Sequence, residues 1–321
     1  MKQTSKNNVP LSTKITLHLE RHGTNAIGTI IKKDKDTRHI HSVFDIPYSS
    51  DKTDKSRFFD WHCPHYIADS LFYSPTPVLF YIHGGSWSTA DKSFFSALCK
   101  DFAEQGIIVI NINYRLMPEN KFEDAYHDCV DAIKFCLKNS EMFGIDNSQV
   151  FIGGDSAGAH LSSLIAAKAT SGHLALDCKI AGLFLFYGVY DLNNLGKVNF
   201  RTCRALHNHF KKLYTDPADL QKFYRLYSPI NFLTDKFPPC FVTAGKIDHL
   251  TKSETLVFLD KLTQLNVEHS ALIFPKYRLD ARHAFINLTL QSRKQALMRA
   301  FKFLHSKIDK TKPLQTLLKG N

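Results

Sequence analysis

Six short stretches of the chain are apolar almost throughout, at residues 78–82, 107–112, 149–153, 181–187, 240–244 and 270–274. Continuous apolar runs of this length suit strands covered on both faces of a largely parallel sheet. Between them lie stretches with helical period, near 93–105, 122–139, 159–169, 253–265 and 292–307. In the last, Leu297, Phe301, Leu304 and Ile308 make one apolar stripe, while Arg293, Lys294, Arg299, Lys302 and Lys307 lie mostly off it. Such a helix packs on a core and turns its charges to water. Strand and helix in alternation predict an α/β class: a doubly wound, mostly parallel sheet with helices on both faces, whose ligand site lies at the carboxyl ends of the strands.

Two stretches break the alternation. The first forty-odd residues are polar and carry Lys32, Lys33 and Lys35 without a clear period. Residues 191–239 separate two strands by far more than a connecting loop requires. The predicted organisation is an N-terminal segment at 1–43 contributing to a small cap, one α/β domain at 44–307 with the main cap insertion near 191–239, and a tail at 308–321. No internal repeat is visible.

The length of 321 residues fits one such domain with its cap. With 44% hydrophobic residues, 25 Phe and 12 Tyr, the composition excludes disordered, collagen-like and small disulfide-stapled chains. The formal charge is +11, but the cations are spread along the chain and no nucleic-acid module is present, so no nucleic-acid partner is expected. Within the predicted cap, the stretch 197–225 sets Lys197, Arg201, Arg204, Lys211, Lys212, Lys222 and Arg225 against only Asp216 and Asp219. Whether this charge selects anionic substrates is left open, as is the oligomeric state. The start of the chain has no apolar run of signal-peptide length, and the most apolar stretch, 181–190, is too short for a bilayer. A soluble cytoplasmic protein with no stable membrane insertion is the expectation. Seven cysteines without a C-x-x-C pair read as reduced, mostly buried thiols.

The chemistry concentrates at predicted strand ends. The run from Val150 to Gly153 passes through Gly154, Asp155, Ser156, Ala157 and Gly158 into a helix-forming stretch. A strand, G-x-S-x-G and a helix together describe a nucleophile elbow, whose tightness demands small neighbours and whose serine stands at a helix N-terminus. After 78–82 come His83, Gly84, Gly85, Ser86 and Trp87, a turn suited to an oxyanion hole. The N–H groups of Gly84, Gly85 and Ala157 are the candidate donors, with His83, Trp87 and Asp155 supporting them. A serine needs a base and the base an orienting carboxylate, in the chain order Ser, acid, His for this fold. Asp248 follows the strand at 240–244, and His283 follows the next, which makes them the candidate acid and base. His160 and His249 are the competing histidines. The cluster His62, Cys63, Pro64 and His65 matches no zinc spacing and reads as a strand end, so no metal and no cofactor are expected.

Taken together, these motifs resemble the hormone-sensitive-lipase-like branch of α/β-hydrolases, which includes carboxylesterases and acetyl esterases. The resemblance is carried by His83 to Trp87, Asn113 to Glu119 with Phe122 and Asp128, Phe143 to Asp146, the Ser156 motif, Ser228 to Ile230 before Pro238 and Pro239, Gly245 with Asp248, and His283 to Phe285. It implies an eight-stranded core and hydrolysis of short or medium carboxylic esters through an acyl-enzyme. It also implies structural roles for Tyr114 and Arg115, and for Asp155 a place in the elbow, not in the triad. Ala284 stands where glycine is commoner. Trp87 with Asp91 and Lys92, and the run Ser156 to Leu161, are also similar to kynurenine (aryl) formamidases. Formamide hydrolysis is therefore an alternative, and a non-catalytic ligand-binding relative a further one. The expected partner is a small-molecule ester or formamide.

Overall fold

The computed structural model describes residues 39–68, 75–198, 200–288 and 290–309. Eight strands form one sheet: β1 Ile40–Pro47, β2 Phe58–Pro64, β3 Thr76–Ile82, β4 Ile108–Ile112, β5 Ile145–Asp155, β6 Ile180–Phe186, β7 Cys240–Gly245 and β8 His269–Phe274. Their order is β1-β2-β4-β3-β5-β6-β7-β8. β1 and β2 pair antiparallel, as do β2 and β4, and every other neighbouring pair is parallel. The six apolar runs of the sequence are β3 to β8, with β5 extended toward its N-terminus to Ile145.

The seven longer helices among the described residues are α1 Ser96–Ala103, α2 Phe122–Lys138, α3 Ala157–Thr170, α4 Arg201–Leu213, α5 Pro217–Tyr227, α6 Leu256–Gln264 and α7 Gln291–Lys307. Two are shorter than the sequence predicts. A 3-10 turn at Lys92–Phe95 precedes α1, and a π turn at Thr251–Thr255 precedes α6. Period 2 along β3 divides the core. Val78, Phe80 and Ile82 face α2, α3 and α6, while Leu79 and Tyr81 face α1 and α7.

The strands that the periodicity did not single out, β1 and β2, form the antiparallel edge. β1 carries a bulge between Val43 and Ile46, with Asp45 at φ +58°, and its Phe44 is 54% exposed. A bulged, half-wet edge strand gives no continuous apolar run. Residues 40–43, expected in the N-terminal cap segment, lie in this strand, and residues 1–38 of that segment fall outside the described residues. Pro64 ends β2, the strand end read from His62 to His65. At the other terminus, Ile308 of the expected tail is buried against the α1/α7 side of the core, and 310–321 lie outside the described residues.

Between β6 and β7, residues 191–239 hold α4 and α5 as a helical hairpin with 3-10 turns at Leu192–Asn194 and Pro229–Phe232. No helix among the described residues is long and apolar enough to cross a membrane. The cysteines are all thiols, six buried and Cys178 half-buried.

Candidate active site

The carboxyl ends of β3, β5, β7 and β8 open onto one side, and the candidate residues sit on the loops that leave them. At the end of β5 the chain turns sharply into α3, and Ser156 occupies the turn with φ +50° and ψ −114°. Left-handed φ in a non-glycine residue is strained and needs its surroundings to hold it. Here the Ser156 N–H donates to the Phe186 carbonyl (2.9 Å), and its own carbonyl accepts the His160 N–H (3.0 Å). The flanking glycines are required by space. A Cβ on Gly154 would lie 2.2 Å from the Ile82 carbonyl oxygen, and one on Gly158 only 1.9 Å from the same atom.

The turn points the serine hydroxyl at a histidine from another loop. His283 Nε2 lies 2.8 Å from Ser156 Oγ, and its Nδ1 lies 2.7 Å from Asp248 Oδ2. With the carboxylate accepting from Nδ1–H, Nε2 is left to accept the serine proton. Asp248 is buried, which pushes its carboxyl up. The neighbouring His283 and Leu250 N–H (2.9 Å to Oδ1) outweigh that and hold it below the ordinary aspartate value. Tyr187, with φ +41°, lays its ring against His283 at 4.9 Å and fixes its own backbone by donating N–H to the Thr243 carbonyl (2.7 Å).

The glycine turn after β3 divides its labour. Gly85 has φ +117°, and its carbonyl accepts the N–H groups of Ser88 and Thr89 (both 3.0 Å), which closes the loop. Gly84 departs from expectation. Its N–H donates to Asp155 Oδ1 at 2.9 Å, so that donor is engaged within the fold and not turned toward an oxyanion. Asp155 also accepts the Tyr81 hydroxyl (3.0 Å) and Asn287 Nδ2 (3.3 Å); burial nevertheless pushes its carboxyl up to about 6. It is thus a brace between the elbow, the glycine turn and the loop carrying His283, in keeping with its expected exclusion from the triad.

His83 is buried, which holds its ring below the usual histidine value; it stacks between Tyr114 (4.3 Å) and Phe95 (5.9 Å). The Tyr114 hydroxyl donates to the His83 carbonyl (2.9 Å). Arg115 grips Asp128 with Nε at 2.8 Å and Nη2 at 2.7 Å. Both residues therefore brace the loops, as the family resemblance implied. Of the competing histidines, His160 donates from Nε2 to the Tyr227 carbonyl (2.8 Å), and burial drives its ring down to about 3. His249 stacks on Phe200 at 5.2 Å. Neither imidazole partners the Ser156 hydroxyl, which is held by His283.

Two features escaped the sequence reading. Trp87 sits edge-on to His160 (5.0 Å) and Phe122 (5.4 Å), and Phe122 continues the cluster to Phe210, Phe223 and Tyr227 of the α4–α5 insertion. Glu254, six residues past Asp248, is buried, and its Oε2 accepts the N–H groups of Tyr190 (2.7 Å) and Asp191 (2.8 Å) where the insertion begins. Burial pushes its carboxyl up to about 7 against the pull of those two donors. A lone glutamate in a helical stretch carries no signal of this in sequence. No cluster of three His, Cys, Asp or Glu residues among those described is placed to hold a metal ion.

Comparison with known proteins agrees with this architecture. LipM of Mycobacterium tuberculosis, named as a probable carboxylic ester hydrolase, is 31% identical over 214 residues, covering 64% of this chain and 49% of LipM. The chain thus spans about half the length of that curated relative. Among solved structures, an inhibited esterase B from Lactobacillus rhamnosis superposes with a TM-score of 0.78 at 19% identity, over 94% of this chain and 99% of that one. A bacterial heroin esterase gives 0.75 at 22% identity, over 94% and 95%. These likenesses bear out the α/β-hydrolase fold drawn from the motifs. The sequence profile of the BD-FAE family matches residues 68–262, and the chain belongs to that family.

Proposed function

We propose that this protein is a serine hydrolase that cleaves carboxylic esters of short or medium acyl chains through an acyl-enzyme. The observation that carries the reading is the unbroken line Ser156 Oγ, His283 Nε2, His283 Nδ1, Asp248 Oδ2, with contacts of 2.8 and 2.7 Å. Ser156 attacks the ester carbonyl while His283 takes its proton, and Asp248 holds the imidazole in the required tautomer and balances the imidazolium. The N–H groups of Gly85 and Ala157 stabilise the tetrahedral oxyanion, Ala157 as the first residue of α3, where the helix dipole favours negative charge. Gly84 contributes by shape, since its N–H ties the turn to Asp155. His283 then returns the proton to the leaving alcohol, and water repeats the sequence to release the acid.

The esterase names of LipM and of the structural neighbours support the substrate class. The thiol state of the cysteines supports work in the cytoplasm; fractionation that finds the protein outside the cell overturns that part.

Purified protein is to be assayed on aryl esters of increasing acyl length beside N-formylkynurenine. Ester turnover that falls with chain length supports the reading, and a strong preference for the formamide replaces it with the formamidase alternative. Ser156→Ala should lower kcat by about 10⁴-fold or more. Substantial residual turnover in that variant would remove Ser156 from its role.

A further inference from the structure

The α4–α5 hairpin is apolar inside and cationic outside. Thr202, Cys203, Leu206, His209 and Phe210 of α4, with Leu220, Phe223 and Tyr224 of α5, form the buried side. The exposed positions on α4 are Arg201, Arg204, Asn208, Lys211 and Lys212. Their spacing of three, four, three and one residues lays them along a single helical face. On α5, Lys222 and Arg225 are exposed one turn apart. The two helices run antiparallel in a register set by His207 Nδ1 against the Tyr224 hydroxyl (2.8 Å) and by Phe210 against Phe223 (4.9 Å). That register brings Lys222 to the level of Lys211, and Arg225 to the turn between Arg204 and Asn208.

None of these six cations pairs with a carboxylate among the described residues. The nearby Asp216 is occupied in capping α5, accepting the Ala218 N–H at 2.8 Å. Like charges a turn apart on one helix repel, and within the described hairpin only Asp216 and Asp219 carry the opposite sign against six cations. Exposed Leu213 and Leu226, at 37% and 40%, add apolar side chains to the same hairpin. Cations interspersed with leucine on the outside of an amphipathic helix are the pattern that settles at a charged lipid interface. A small anion would need an enclosed set of donors, and these side chains stand on the convex outside of two helices. The hairpin also starts beside the candidate site, because Phe200, the residue before α4, stacks on His249, the neighbour of Asp248.

We propose that the outer face of the α4–α5 hairpin docks on anionic lipid surfaces, adsorbing the protein peripherally with its cationic cap against the headgroups. The inference stands apart from the esterase reading, since adsorption needs no turnover. Sedimentation of the full-length protein with vesicles tests it. Wild type binds vesicles of phosphatidylcholine containing phosphatidylglycerol, leaves them as salt is raised, and ignores pure phosphatidylcholine. The quadruple reversal Arg204→Glu, Lys211→Glu, Lys212→Glu and Arg225→Glu weakens binding by about 100-fold or more, because each cation near an anionic surface contributes on its own. The milder pair Arg204→Ala and Arg225→Ala gives a graded loss of about 10-fold and covers the case in which the reversal disturbs folding. Thermal melting of each variant reports whether it is folded. The proposal fails if wild type does not bind the anionic vesicles at low salt, if a folded reversal variant binds as wild type does, or if duplex DNA at matched salt captures the protein while the vesicles do not.

Discussion

At the elbow, Gly154 and Gly158 lie so close to the Ile82 carbonyl that any side chain would overlap backbone, and Ser156 is forced to a positive φ. The α4–α5 hairpin meets the same core mainly through side chains. Phe210, Phe223 and Tyr227 gather around Phe122, and the Tyr227 carbonyl accepts from His160. Lys168 Nζ sits among the rings of Tyr126 (4.6 Å), Tyr227 (4.8 Å) and Phe232 (5.2 Å), where burial lowers its ammonium to about 8. Backbone contact admits only glycine, whereas ring contact admits many solutions of similar volume. The elbow is therefore rigid and narrow in sequence, and the hairpin rigid but broad.

Substitutions can break this contrast at either end. Phe122→Ala removes the ring that joins Trp87 to the hairpin and should cost about 3–5 kcal/mol, the range for a buried phenylalanine. A melt with the hairpin still attached and no fall in Tm would show that the rings do not hold it. Gly158→Ala should cost about 3 kcal/mol through overlap that the Ile82 backbone cannot relieve, lowering Tm by roughly 5 °C. If the alanine variant melts with wild type, the close approach is not a constraint. Asp155→Asn leaves a carbonyl oxygen for Gly84 and Tyr81 but sets an amide NH2 against the Asn287 donor. kcat should fall by about 10–100-fold with KM little changed, a loss comparable to weakening one oxyanion donor.

A pH-dependent effect concerns Glu254, whose carboxylate accepts the N–H groups of Tyr190 and Asp191 where the insertion begins. Its folded value near 7 lies above the ordinary 4.5, so the folded protein holds this proton more tightly than the unfolded chain does. The associated stability is present in full below about pH 4.5 and is lost as pH rises through 7. Glu254→Gln cannot titrate, so its Tm should gain on that of wild type as pH climbs across that window. Parallel melting curves for the two proteins over pH 4 to 8, with no change in their spacing, would contradict the buried charge.

What was legible follows from the same contrast. β3 to β8 announced themselves because strands covered on both faces must be apolar throughout, and Gly154, Ser156 and Gly158 did so because the turn tolerates nothing larger. Asp248 and His283 could be chosen among many acids and 16 His because each follows a strand whose end faces the elbow. By contrast, β1 shows a bulge and wet side chains in place of a pattern. α4 and α5 lay hidden in an insertion whose helices are defined by partners from distant parts of the chain. The role of Gly84 was misjudged for a related reason. Residue type marks a glycine turn, but only the placement of the Asp155 carboxylate decides which N–H it consumes.

Asp155 has a dynamic corollary. One carboxylate on the nucleophile's own neighbour holds the turn at Gly84 through Oδ1 and the loop four residues beyond His283 through Oδ2. Thermal displacement of any one of these loops is passed to the others, so the hydroxyl, the imidazole and the donor turn drift as one body. A brace of this kind opposes relative displacement of the three loops, and so protects the 2.8 Å contact between Ser156 and His283 on which attack depends.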